Sequence, residues 1–361
     1  MISSATIREL QQRWPLPSAP RPIVVIGAGG IVNDAHLPAY AACGFEVASV
    51  FDVDRGRSVK TAEAHGIPRV CDSLDEAVER EGIVFDIAVP PDRLASVVER
   101  LPVGATVLMQ KPMGANLEDA RRIRQLCRER ELIAAVNFQL RFAPMMLALR
   151  DLIRRGVLGD IVDVDVHLNY LEPWDLFPFL KSQARVEMMI ASIHYFDWIR
   201  SLLGEPEGVY ARSIPHPEYP GIETTRTSAI LDYGGATRCC LSLNNTWAYG
   251  ARHEATAVRV EGLKAAAVVR IGALINYPQG EKDTLEIARR PAGDAPVSWQ
   301  PVPLVGGWFP DAFRGTMSNL QRYAAGEDEI LVTHFEDAYR TMAMIEAGYA
   351  SNDHGRTPIP E

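Results

Sequence analysis

The residues best suited by type and spacing to do chemistry begin with Gly27-Ala28-Gly29-Gly30. This run follows a short apolar stretch, Ile23 to Ile26, and precedes a segment that can be helical. A strand, a tight turn and a helix start in that order make an anion seat. Gly27 permits the sharp reversal, Gly29 lets the backbone approach a pyrophosphate without a clashing Cβ, and the helix N-terminus offers unpaired N–H groups. A second apolar stretch, Glu46 to Phe51, ends at Asp52, about 20 residues beyond the turn, where a carboxylate can take the ribose hydroxyls of an adenosine. The spacing points to a dinucleotide, NAD rather than NADP. Val32 stands where the third glycine of that fingerprint is usual, which loosens the packing of helix on strand.

These residues need a scaffold, and the pattern around them supplies one. Between residues 22 and 137, buried-type strands at 23–26, 46–51, 83–89, 105–110 and 133–136 alternate with helical stretches such as 93–101 and 117–130. That order gives a parallel sheet covered on both faces, with ligands at the carboxyl ends of its strands. Pro90 and Lys111 stand at two of those ends. A lysine there, followed by Pro112, is poorly placed for a solvated charge. Partial burial there would lower its pKa and suit it to proton relay.

Beyond a helix at 145–154 the period changes. Ile161 to Tyr170 alternates strictly, with Val162, Val164, Val166, Leu168 and Tyr170 on one face. Further strands are expected near 208–213, 226–233, 236–243, 255–261, 265–271 and 283–288, with Gly234-Gly235 as a hairpin turn. The expected fold is an α/β Rossmann domain followed by an α+β domain with a large, open, mostly antiparallel sheet. Its divisions are an N-terminal extension at 1–20, a dinucleotide-binding domain at 21–141 and a substrate-binding and oligomerisation domain at 142–361. Helices at 187–203, 311–325 and 334–351 are expected to cover one face of the second sheet, and the other face to meet another subunit.

Composition excludes other classes. The chain has 361 residues, enough for two cores, and a net charge of −9, which argues against nucleic acid or an anionic membrane as partner. No apolar run is long enough for a signal peptide or a membrane span, so a cytoplasmic protein is expected. Five cysteines and eight histidines show no metal-ligand spacing, and no metal is expected.

In this order, VVIGAGGI, the Asp52 turn, QKP in place of EKP, NFQLRFAP, GVLGDI, IHYFDWIRSLLGEPEGV and the tail EDAYRTMAMIEAGYASNDHGRTPI resemble the glucose-fructose oxidoreductase and inositol dehydrogenase (Gfo/Idh/MocA) family. The resemblance covers nearly the whole chain. It implies NAD(P)-dependent oxidation of a sugar, polyol or sugar acid at a secondary or anomeric hydroxyl, in a cleft between the two domains of a homodimer or homotetramer. It carries Lys111 and His194 over as catalytic residues. Asp197 matches a further position, with a structural role as open as a catalytic one. The dinucleotide site is drawn from Gly27, Gly29, Gly30 and Ile31 at the turn, Asp52 and Arg55 beyond the second strand, and Pro90 and Lys111 at strand ends. The substrate is expected at Lys111, Arg141, Trp174, Glu187 and His194, with Gln139, Asp175, Lys181, Arg185 and Asn245 as further polar residues of the same region.

Two positions depart from the family pattern. Gln110 replaces a carboxylate beside Lys111, and Ile190 stands one helical turn before His194 where many members carry an aspartate. A catalytically silent NAD-binding sensor or scaffold is the alternative these departures raise. Glu187 lies seven residues before His194, which on a continuous α-helix is nearly the same stripe, and is expected to substitute for the missing carboxylate. The other reading of Glu187 is a favourable charge at the positive end of its own helix.

Overall fold

The computed structural model describes residues 2–175, 178–276, 280–293 and 295–354. The chain forms two units, one of Arg13–Ala143 with Phe309–Met342, the other of Met1–Gln12, Pro144–Trp308 and Ala343–Glu361. The end of the tail motif, from residue 355, lies outside the described residues.

In the first unit, β1 (Ile23–Ile26), β2 (Val47–Phe51), β3 (Val84–Ile87), β4 (Thr106–Met109) and β5 (Ile133–Val136) pair in parallel in the order β2-β1-β3-β4-β5. These strands are almost wholly buried, as a parallel sheet with both faces covered requires. Leaving β1, Gly27 adopts φ +105°, and a Cβ there would stand 2.3 Å from the Ala88 carbonyl oxygen. A Cβ on Gly29 would meet nothing within 4 Å. The helix beyond opens with a π turn, Val32–His36, before the α-helix Leu37–Cys43. Val32 is fully buried there, and the wider turn is where its side chain is accommodated.

A buried polar network locks that helix to the sheet. The carboxylate of Asp86 on β3 meets His36 Nδ1 at 2.7 Å and accepts the Tyr40 hydroxyl at 2.7 Å. His36 Nε2 meets Asn137 Nδ2 at 3.3 Å, and Thr316 donates to Asn137 Oδ1 at 2.9 Å. Thr316 belongs to the helix Asp311–Ala324, whose Phe313, Met317 and Leu320 sit in the core of the first unit. This helix was expected over the antiparallel sheet. Its apolar stripe records that it covers a sheet, not which one.

The second unit carries an eight-stranded sheet. β6 (Ile161–Asn169), β7 (Gly208–Ile214), β8 (Arg226–Asp232), β9 (Arg238–Asn244), β10 (Ala255–Gly262), β11 (Ala265–Arg270), β12 (Thr284–Arg289) and β13 (Gln300–Pro301) run in the order β13-β12-β11-β10-β6-β9-β8-β7. All pairs are antiparallel except β6 with β9. Gly234 and Gly235, both at positive φ, turn β8 into β9. Burial alternates along β6 to β9, and the outer face exposes Tyr210, Ile214 and Ile230.

The two glycines of the first turn should respond differently to a methyl group. Gly27→Ala meets both a positive φ and a carbonyl oxygen, and should lower the unfolding free energy by at least about 3 kcal/mol in urea titration. Gly29→Ala should stay within about 0.5 kcal/mol of the parent. Equal losses would contradict the assigned backbone.

Candidate functional site

The turn after β1 is held from two sides. Asp52, just past β2, accepts the Ala28 N–H through Oδ2 at 2.8 Å and the Asp54 N–H through Oδ1 at 2.8 Å. Asn33 Nδ2 donates to the carbonyls of Ala28 at 3.3 Å and Gly29 at 3.0 Å. Gly29 thus presents an open backbone face beside a fixed carboxylate, which fits a pyrophosphate and a ribose diol. Gly30 is exposed and Ile31 half-buried at the same turn. Arg55, on the first turn of the helix Arg55–His65, pairs with Asp72 on the surface, and Arg57 pairs with Asp54. Pro90 is exposed past β3. Lys111 is half-buried past β4, where the Gln110 side-chain oxygen accepts its backbone N–H at 3.0 Å. Gln110 therefore shapes the turn that carries the lysine.

Arg141, expected on substrate, is 5% exposed, and its guanidinium donates to the Val332 carbonyl at 2.9 Å and to Asp337 at 2.7 Å. It braces the start of the helix Phe335–Asp353 within the first unit. Sequence located the residue after β5 but carried no sign of its partner. Gln139, in the same 3₁₀ turn, is buried.

In the second unit His194 lies in the first turn of the helix Ile193–Leu203 and is 3% exposed. Trp308 packs against its ring in a T-shaped pair, with centroids 5.7 Å apart and planes at 90°. Trp308 is in turn fixed by Asp283, whose carboxylate accepts its backbone N–H at 2.6 Å and that of Ala273 at 3.1 Å. Sequence gave no signal for Asp283. Asp197 is fully buried one turn beyond His194.

The single α-helix expected over 187–203 is also corrected. Glu187–Ala191 is a π turn, followed at Ser192 by the α-helix, so the stripe argument linking Glu187 to His194 fails. Ile190 is buried. Glu187 is 1% exposed and lies near Thr227 on the inner face of the sheet. Burial pushes its carboxyl up from 4.5 to about 7, and the charge of Glu172 adds to the shift. The hydroxyls of Ser192 and Thr227, close to the carboxyl, oppose the shift.

Around Glu187 the segment Tyr170–Trp174 gathers further polar groups. The Tyr170 hydroxyl donates to Glu172 at 2.9 Å, the Glu172 N–H to the Asn245 carbonyl at 2.9 Å, and the Trp174 N–H to the Glu172 carbonyl at 2.8 Å. Trp174 stacks on Tyr219 with centroids 5.0 Å apart. The remaining expected polar residues are engaged elsewhere. Asp175 and Lys181 form an exposed ion pair, and Arg185 donates to both carboxylate oxygens of Glu346 while lying over the Tyr349 ring. Among the described residues no group of three or more His, Cys, Asp or Glu could hold a metal, and no helix is long and apolar enough to cross a membrane.

Comparison with known proteins covers both units. A model of an oxidoreductase family with an NAD-binding Rossmann fold matches residues 21–138, and a model of that family's C-terminal alpha/beta domain matches residues 150–360. Over 343 residues the chain is 25% identical to a D-apiose dehydrogenase of Paraburkholderia graminis, with 91% of this chain and 87% of that one covered. Over 241 residues it is 28% identical to a trans-1,2-dihydrobenzene-1,2-diol dehydrogenase of Bos taurus, covering 62% and 69%. A UDP-N-acetylglucosamine 3-dehydrogenase from Acidithiobacillus ferrooxidans is similar in structure, with a TM-score of 0.73 at 21% identity over 93% of this chain and 98% of that one. An oxidoreductase from Agrobacterium radiobacter, solved with NAD+, L-tartaric acid and magnesium, gives 0.75 at 19% identity over 94% and 98%. At such identities the structural likeness is one of fold.

The raised Glu187 carboxyl sets a pH dependence of stability. Between pH 4.5 and 7 the unfolded chain releases this proton before the folded one, so folding loses up to about 3 kcal/mol as pH rises through that window. Glu187→Gln lacks this loss. Urea unfolding should find the variant close to the parent at pH 5 and more stable by an amount approaching about 3 kcal/mol at pH 8.5. A difference that does not change with pH would show that Glu187 is ionised as readily folded as unfolded.

Proposed function

The chain belongs to the Gfo/Idh/MocA family of oxidoreductases, and from that premise we propose that it is a dehydrogenase oxidising a secondary or anomeric hydroxyl of a sugar or polyol, with NAD as hydride acceptor. The observation that carries this reading is the glycine turn, with its open Gly29 face beside the fixed Asp52 carboxylate. When bound, NAD would supply the acceptor for the hydride leaving the carbon being oxidised. His194, held by Trp308, takes the hydroxyl proton as the carbonyl forms, and Lys111 hydrogen-bonds the reacting oxygen. Oxidation of the alcohol thus yields a carbonyl compound, NADH and one proton.

NAD is preferred over NADP in this reading because a 2′-phosphate would meet Asp52, while Arg55 and Arg57 each already face a carboxylate. The exposed Tyr210, Ile214 and Ile230 support assembly as a homodimer or homotetramer through the outer face of the second sheet. A monomer mass by light scattering would remove that assembly.

Ile190, an apolar side chain before His194, favours a second reading, a dinucleotide-binding protein without turnover. One experiment separates the two. The purified chain with NAD is screened against aldoses, inositols and their oxidised or reduced relatives by NADH absorbance, alongside calorimetric titration with NAD and with NADP. The dehydrogenase reading expects NADH with at least one member and tighter binding of NAD. It also expects Lys111→Met to lower kcat by a factor of about 100 while NAD affinity stays within a few-fold. NAD binding with no turnover in any case would establish the silent reading, and NADP binding as tight as NAD would show that Asp52 does not read the ribose.

A further inference from the structure

One side chain sets the direction of the peptide groups in the glycine turn. Asn33 Nδ2 donates to the carbonyl oxygens of Ala28 at 3.3 Å and of Gly29 at 3.0 Å. A trans peptide is planar, with its carbonyl and its N–H pointing opposite ways. Drawing those two carbonyls toward Asn33 therefore turns the N–H groups of Gly29 and Gly30, which belong to the same two peptides, away from it. A Cβ on Gly29 would meet nothing within 4 Å and Gly30 is exposed, so an anion can approach the turn.

The orientation of Asn33 is itself held. A carbonyl oxygen only accepts, so the amide nitrogen must face the two carbonyls and Oδ1 must face elsewhere. His65 Nε2 lies 3.2 Å from that Oδ1, which makes the imidazole the donor. His65 is the last residue of the helix Arg55–His65, whose N-cap is Asp54, and Asp52 just before that cap accepts the Ala28 N–H. Ala28 is thus gripped at its N–H by the start of one helical segment and, through Asn33, at its carbonyl by the end of the same segment. Spacing between the glycines and Asp52 carries no mark of this second grip, because His65 lies 32 residues from Asn33.

We infer that Asn33 is a positioning residue of the dinucleotide seat: it aims the Gly29 and Gly30 N–H groups at the pyrophosphate, and His65 fixes its amide in that orientation. The inference rests on the dinucleotide-binding part of the proposed function and requires no turnover.

The test is calorimetric titration of the full chain with NAD and with ADP, which shares the diphosphate and lacks the nicotinamide. Asn33→Leu keeps the size of the side chain and removes the amide. It should weaken both ligands by the same factor, about tenfold or more, with a melting temperature within about 2 °C of the parent. His65→Leu should weaken both about fivefold, whereas His65→Gln, which keeps an N–H donor, should stay within about twofold. His65 is exposed, so its pair of variants decides the matter if Asn33→Leu does not fold. With NAD still binding the parent, the inference is overturned by an unaltered affinity in either leucine variant or by equal losses in the two His65 variants. A loss for NAD that ADP does not share, or one matched by a fall in melting temperature, would also overturn it. Failure of the parent to bind NAD would instead remove the dinucleotide reading itself, and the inference with it.

Discussion

The hydrogen bond from the Ala28 N–H to the Asp52 carboxylate is the constraint on which the first unit's site depends. It joins the loop leaving β1 to the end of β2, and the second oxygen of the same carboxylate takes the Asp54 N–H, so Asp52 can move only if both strand ends move. Gly27 is forced by the same geometry, since the chain must reverse beneath the Ala88 carbonyl. The helix that follows is held from behind by His36 and Tyr40 on Asp86, a carboxylate with no access to water. A buried polar cluster of this kind gives little net stability, but each partner is strongly required once the others are present. The glycine turn is thereby braced by groups that lie behind it.

The second unit is organised by a different balance. Its core is apolar along the inner faces of β6, β8 and β9, yet beside that core it buries the polar side chains of Glu187, Asn245, Tyr195 and Trp174. Folding around such groups costs free energy, and preorganised polar groups at binding sites are a common place for that cost to be retained. His194 is held in the opposite way, by packing against Trp308, which Asp283 anchors through the backbone.

How far the sequence foretold this depends on whether a feature leaves a local periodic mark. The alternation of Ile161 to Tyr170 reports one buried and one exposed face, and β6 follows it almost residue for residue. The glycine turn and Asp52 were legible because spacing alone sets them. The helix Asp311–Ala324 was found, but its partner sheet was not, since the same stripe would suit either sheet. Glu187 was placed by a rotation of 100° per residue, which presupposes an α-helix, and the π turn removes that premise. Arg141 and Arg185 read as polar residues of the substrate region because their carboxylates, Asp337 and Glu346, lie about 160 to 200 residues away in the chain, beyond any local pattern.

The most direct test of the dinucleotide seat is a crystal structure of the chain with NAD bound. The pyrophosphate should lie against the backbone of Gly29 and Gly30, with the adenosine ribose hydroxyls donating to Asp52. A dinucleotide held elsewhere, or a ribose turned away from that carboxylate, would contradict the assignment.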